Sequence, residues 1–509
     1  MKSVPQRTAA LVAGLALALT GCSAAAPPDP DKSTLTLGLP SWGIDYPLDP
    51  TNGLLFQLAQ AVYEPLVMLN QTTNQYDPWL AEEFAVSDDR RTLTLQLREN
   101  VDFTDGTHMD AAAVERWLDL LFEGDNGHSG VLGLYGTEAT ATGEYELELA
   151  APDRPIDTDF FIYLWTVPIL SPEVAGDLTT INAGDLPALN DAPIGGTGPY
   201  LLEERIPATS VSLVANPDYW NPDAVDFESV KFVAFDDRVA ALNALKSGQI
   251  DATAIDNGSA AEAEASGFTV FEGGGRFATL VILDNEGAIV PALADVRVRQ
   301  AINLAFDRQA ILDTIDLGFG SVSSQAASSI FPWYVEGGDD EYDFDLEAAR
   351  SLMVEAGYAD GFDLTIPTVA GSEYEAYEPI VQQSLADIGI RVTYDQYPDG
   401  ADYTADGIAG VHPVLLIKDY YTNLSQYVHG YLYDTLFDDH AYELLEAAEQ
   451  GSSVEGTEAM RELGQYILDE AWFAPVSAPK TLWATVPEIE MIVGDVLSLP
   501  ELHDYRVAD

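Results

Sequence analysis

Cys22 is the only thiol in the chain, and it directly follows Leu19-Thr20-Gly21. A lone thiol forms no intramolecular disulfide and builds no Cys-rich metal site. Gly273-Gly274-Gly275-Arg276-Phe277-Ala278 satisfies GxGxxA, a spacing that lets backbone approach a pyrophosphate. That chemistry needs a helix N-terminus immediately afterwards. Thr279-Leu280-Val281-Ile282-Leu283 follows instead and reads as a strand, which argues against a dinucleotide site. Gly127-His128-Ser129-Gly130 sets a serine beside a histidine in a polar loop, with nothing further to support a nucleophile. His429 and His440 share a neighbourhood with Asp434, Asp438 and Asp439, at a spacing that fits no standard metal motif and suits a solvated polar face. Walker A, HExxH, GxSxG and EF-hand patterns are absent. With 84 Asp and Glu residues, acid pairs arise everywhere by chance, so none singles itself out as a catalytic dyad. No catalytic set, metal or cofactor is expected.

Cys22 gains meaning from what precedes it. Lys2 and Arg7 give a short basic region, and an apolar stretch runs from Ala9 to Leu19. That run is shorter than the roughly 20 residues a membrane-spanning helix requires, and it has the layout of a secretory signal. Leu19-Thr20-Gly21-Cys22 resembles the bacterial lipobox, in which the cysteine sulfur is lipidated and cleavage leaves the cysteine first. Residues 1–22 are therefore expected to be a lipoprotein signal, with Cys22 the lipidation site. Residues 23–32 hold small residues and three prolines and read as a tether. The expected location is the extracytoplasmic face of the cell membrane, held there by lipid.

The elements that must position any site come from an acidic chain of 509 residues. Its 22 Lys and Arg against 84 Asp and Glu give a formal charge of −62. Such a charge repels nucleic acid and anionic lipid surfaces. An apolar fraction of 47% supplies a sizeable core and excludes gross disorder. Residues 33–39 and 91–97 alternate polar and apolar, as strands do. Glu144 to Leu149 reads as a strand, and Leu201 to Val214 as two strands turning near Pro207. Helical spacing begins the stretch from Leu55 to Leu69. Asp110 is placed to cap a helix over Ala111 to Phe122. Further helices are expected over Val239–Ser247, Val296–Ile315, Leu346–Glu355 and Tyr377–Ile388, three of them stopped by Gly248, Gly357 and Gly389. This mixture indicates an α/β or α+β protein.

Several ordered motifs then resemble one family, the peptide/nickel/opine class of bacterial extracellular solute-binding proteins. Tyr63-Glu64-Pro65-Leu66 is similar to its YEPL. Leu80 to Phe84, Ser87-Asp88-Asp89, Leu93 to Arg98 and Val101 to Gly106 resemble its LAxSW…SDDG…FxLRxxVxFxDG signature. Gly196-Thr197-Gly198-Pro199-Tyr200, Asn216-Pro217-Asp218-Tyr219-Trp220, Ala244 to Asp251, and Asp295 to Ile302 with Phe306-Asp307-Arg308 follow in the family's order. Ala356-Gly357-Tyr358 and Gly389-Ile390 close the series. Most of these residues have structural roles. Gly106 and Gly198 are expected to serve turns, Arg297 and Arg299 to make ion pairs, and Trp220 to pack.

The resemblance implies an α/β, two-lobed periplasmic-binding-protein type II-like fold with an extra subdomain in lobe one. Lobe one would take 33–276 plus 480–509, with 61–182 as the extra subdomain, and lobe two would take 277–479. It further implies a non-enzymatic, monomeric subunit of an ABC importer. Such a subunit captures short peptides in the interlobe cleft and hands them to a membrane permease driven by an ATPase. Peptide-binding relatives pair an aspartate of a W-x-x-D-Y-x-D-P segment with the peptide α-ammonium. Asp419 and Tyr420 hold the D-Y positions here, while the tryptophan and the later D-P are missing. Asp419 is thus an α-ammonium ligand or an ion-pair partner of Lys418. Tyr420 and Tyr421 are candidates to line a pocket. Trp42 stacks on a ligand or packs in the core, and Arg276 meets a ligand carboxylate or pairs with Glu272. A nickel chelate, bound through His412 or His429, is one alternative ligand. An opine is another, as is an oligosaccharide on Trp42, Trp333 and Trp472. A peptide-sensing lipoprotein without transport is a further reading, and an exported hydrolase lacks a catalytic set.

Overall fold

The computed structural model describes residues 33–40, 43, 48, 57–125, 134, 136–329, 331–370, 372, 375–398, 400–419, 438–451, 453–494 and 500–508. Cys22, Trp42, Tyr420, Tyr421 and His429 lie outside them.

Alternation builds the central strand. In Thr34–Pro40, Leu35 and Leu37 are wholly buried while Thr34 is exposed. This strand runs parallel to Ser229–Phe235 on one side and to Ala252–Ile255 on the other. The sheet continues outward through Ser210–Ala215 and Tyr200–Ile206. In the other direction it passes through Phe473–Thr485 and Phe277–Ile282 to Val414–Asp419. Phe473–Thr485 is a 13-residue strand that belongs to both halves of the molecule. Its C-terminal part pairs with Ala252–Ile255 and Thr269–Gly275, and its N-terminal part with Phe277–Ile282.

The apolar cores divide on either side of this strand. One continuous cluster joins Leu35, Phe232 and Trp483 of the sheet to Leu93, Trp117 and Leu147, and a smaller one holds Leu245, Ile255 and Leu482. Beyond residue 276, two larger clusters form around Leu280, Phe306 and Leu385, and around Val281, Trp333, Leu463 and Trp472, with a small one at Val335, Tyr342, Leu468 and Ala471.

Residues 81–150 carry a separate antiparallel sheet of four strands, Ala81–Val86, Thr92–Leu97, Glu146–Ala150 and Glu138–Ala141 in that order. Leu93, Leu95 and Leu97 are fully buried at every second position. The helix Ala111–Phe122 packs here through Val114, Trp117, Leu118 and Leu121. The Asp110 carboxylate accepts from the Ala113 N–H at 2.8 Å, as expected of an N-cap.

Two expectations need correction. The stretch Val296–Ile315 is two helices, Val296–Leu304 and Arg308–Thr314. Asp307 caps the second, and Arg308 turns inward to donate to the carbonyls of Pro475 and Tyr342 and to Asn303 Oδ1 at 2.8–2.9 Å. That buried guanidinium, its pKa pushed down to about 10 by desolvation, fixes the break. The helical start expected of Leu55 to Leu69 is the short helix Gln57–Gln60, and Val67–Asn70, beyond Pro65, is a strand. Gly198 serves close approach, since a Cβ there would meet the Val62 carbonyl carbon at 2.5 Å. Gly106 does supply a turn, at φ +86°.

Candidate functional site

Two strand pairs carry the chain across the seam between the two sets of cores. Gly275 pairs with Lys480, the Arg276 N–H donates to the Pro479 carbonyl at 3.2 Å, and Ala278 pairs with Ser477. Both ladders shift register here, between Glu272 and Gly275 and between Ala278 and Thr279. A Cβ on Gly275 would lie 2.7 Å from the Pro479 oxygen, so glycine is what lets the two backbones cross this closely.

Residues 273–275 are the end of the strand Thr269–Gly275. The strand that follows, Phe277–Ile282, occupies the place where a dinucleotide site would need a helix. Arg276, half-buried, stands at the crossing itself.

Val414–Asp419 lies at the edge of the sheet, with Phe277 opposite Asp419 and Ala278 opposite Lys418. The backbone therefore brings positions 276, 277 and 419 to the same end of two adjacent strands. Lys418 acts electrostatically on Asp316, whose Oδ2 accepts from Ser477 Oγ at 2.5 Å and whose Oδ1 accepts from Tyr377 Oη at 2.7 Å. Burial pushes the Asp316 carboxyl up, and the two hydroxyls and Lys418 oppose that rise. The sequence reading missed Asp316. Its signal lies 161 residues from Ser477 and is invisible to local pattern.

Other candidates are placed elsewhere. Trp333 and Trp472 are 4% and 2% exposed inside an apolar cluster, so they pack the core and offer no sugar platform. His412 is buried, with Nε2 2.7 Å from the Tyr397 hydroxyl, which also reaches Asp406 Oδ2 at 2.6 Å. Among the described residues no three His, Cys, Asp or Glu side chains are arranged to hold a metal. Arg297 pairs with Asp295 and Arg299 with Glu470. Trp220 packs edge-on to Trp79 and donates to Glu64 Oε2 at 2.9 Å. No helix among the described residues is long and apolar enough to cross a membrane.

Residues 75–441 match the family model for bacterial extracellular solute-binding proteins, family 5. The chain is 30% identical over 367 residues to Protein XP55 of Streptomyces lividans, covering 71% of this chain and 65% of that protein. It is 27% identical over 435 residues to a dipeptide-binding protein of Pseudomonas aeruginosa, covering 78% and 75%. NikA from Brucella suis in complex with Fe(III)-EDTA superimposes with a TM-score of 0.78 at 21% identity, over 93% of this chain and all of that one. DppA from Helicobacter pylori in complex with the peptide STSA gives 0.72 at 20%, over 94% and 98%. The fold is that of a type II periplasmic binding protein.

Proposed function

Since the chain belongs to family 5 of the bacterial extracellular solute-binding proteins, the substrate-binding components of ABC importers rather than enzymes, we propose that it captures short peptides between two lobes. Lobe one takes residues 33–276 and 480–509, with 61–182 as its extra subdomain, and lobe two takes 277–479. The observation that carries this reading is the double strand crossing at Gly275–Ala278 and Ser477–Lys480, beside the end of Val414–Asp419. A ligand touching both lobes only when they approach shifts an open–closed equilibrium by its difference in affinity for the two states.

Asp419 receives the peptide α-ammonium, with Tyr420, Tyr421, Trp42 and Arg276 around it. A desolvated ammonium needs a charged partner. The electrostatic influence of Lys418 on Asp316 is consistent with this role, because it gives that lysine a carboxylate other than Asp419 to act on. The chain is held outside the membrane by lipid on Cys22, acts as a monomer, and delivers its peptide to a permease and ATPase. A dipeptide-binding relative at 27% identity favours peptide over chelate.

Asp419→Ala is expected to weaken binding of free-N-terminal peptides by about 2–5 kcal/mol, and of N-acetylated peptides far less. Calorimetry with matched pairs checks it. Equal loss for both would sink the α-ammonium role.

A further inference from the structure

Arg90 stands where the SDDG pattern carries glycine, and it pays for that place with a left-handed backbone at φ +59°. The turn is held by the Arg90 N–H on the Ser87 carbonyl at 2.9 Å and by Ser87 Oγ on Asp89 Oδ1 at 2.6 Å. Glycine would adopt this conformation without strain. The guanidinium is nevertheless buried, and its contacts lie far off in sequence. Nη1 donates to the Ala448 carbonyl at 3.3 Å, while Nη2 pairs with Asp157 at 3.2 Å. Its neighbour Arg91 donates through Nη2 to the Glu449 carbonyl at 2.8 Å.

Ala448 and Glu449 close the helix Asp439–Gln450. The last carbonyls of a helix have no intrahelical donor and carry its negative end, so two cations there satisfy both needs. Gly456, in the following helix Ser453–Asp469, makes the room. A Cβ on it would sit 2.0 Å from Arg90 Nη1. Ile162 adds an apolar contact, packing against the cluster that contains Leu445 and Leu463. Apart from the turn bonds and the Asp157 pair, these contacts join residues 90–162 to residues 445–463, on opposite sides of the strand crossing.

We propose that Arg90 and Arg91 form a clamp between the extra subdomain and lobe two that stabilises the closed form and so sets affinity. The inference rests on the two-lobe reading above. Ligand energy then completes a closure that the arginines already favour, and losing the clamp lowers affinity with every ligand contact intact.

Spin labels at Asp153→Cys and Glu446→Cys, in a Cys22→Ser background, report the distance across this contact. Pulsed electron resonance is run on the ligand-free chain and with trialanine added. With Arg90→Gly the ratio of short to long distances is expected to fall about tenfold in the ligand-free chain, since hydrogen bonds to charged groups are worth on that order. Arg91→Ala moves it the same way. Arg90→Gly relieves the strained turn but loses the Asp157 pair, so the thermal midpoint is read beside the distance ratio. An unchanged ratio in both variants overturns the clamp, and a lowered midpoint with unchanged ratio marks Arg90 as merely structural. A single distance common to all samples, trialanine included, removes the two-lobe reading as well. A trialanine response that survives both substitutions undiminished removes the clamp alone.

Discussion

Tyr219 donates its hydroxyl to Glu64 Oε1 at 2.6 Å, across 155 residues of sequence, and both side chains are buried. Trp79 Nε1 donates to the same oxygen at 2.8 Å and Trp220 Nε1 to the other at 2.9 Å. Two family-like motifs, one around Glu64 and one around Trp220, are thereby a single hydrogen-bonded unit. Burial pushes the Glu64 carboxyl up against the pull of these donors. Removing a donor leaves part of a buried carboxyl unanswered. Tyr219→Phe is expected to destabilise the fold by about 1.5–3 kcal/mol, read as a lowered urea midpoint. A midpoint unchanged from the parent would mean that the pair carries no stability.

The C-terminal turn holds a second buried carboxylate cluster. Asp504 Oδ2 accepts from the Glu501 N–H at 2.8 Å, within a capping box. Burial raises both acids, Asp504 to about 7, and lowers His503 to about 4, with Arg506 pulling Asp504 and His503 down. A raised acid contributes stability that is full below its unfolded value near 4 and lost as pH climbs through 7. The His503 contribution has the opposite sign: full above about 6.5 and lost as pH falls toward 4. Asp504→Asn keeps the cap acceptor and removes the charge. The variant should match the parent near pH 4 and be more stable than the parent at pH 8. Denaturation midpoints at both pH values test this, and a pH-independent difference would refute it.

Cys22→Ser should move the protein from the membrane fraction to the soluble fraction. A single acyl chain gives only marginal membrane affinity, so the full lipoprotein modification is what the cysteine must anchor. An unchanged membrane fraction on immunoblotting would reject Cys22 as the anchor.

Local pattern carried much of the fold. Leu93, Leu95 and Leu97 declared their strand by alternation, and Asp110 declared the start of its helix by residue type. The GxGxxA run was separable from a dinucleotide site because a strand follows it. What escaped is long-range. Phe473–Thr485 is buried along most of both faces, so it lacks the period of two that marks a half-exposed strand, and Pro475 and Pro479 disguise it further. Arg308 broke a helix that periodicity ran straight through, because two of its three partners, the carbonyls of Pro475 and Tyr342, come from distant segments. Asp316 and the Arg90–Ala448 contact likewise depend on residues more than a hundred positions away. At the candidate site, the sequence offered Asp419 from a family-like segment and Arg276 as a cleft candidate, and the strand ladders bring the backbone of both positions beside Phe277.

The central claim is that this chain carries short peptides. Mass spectrometry of small molecules released on denaturing the purified mature protein tests it most directly. The account predicts a ladder of mixed short peptides with free N-termini. A single metal chelate, opine or sugar, with no peptides, would contradict it.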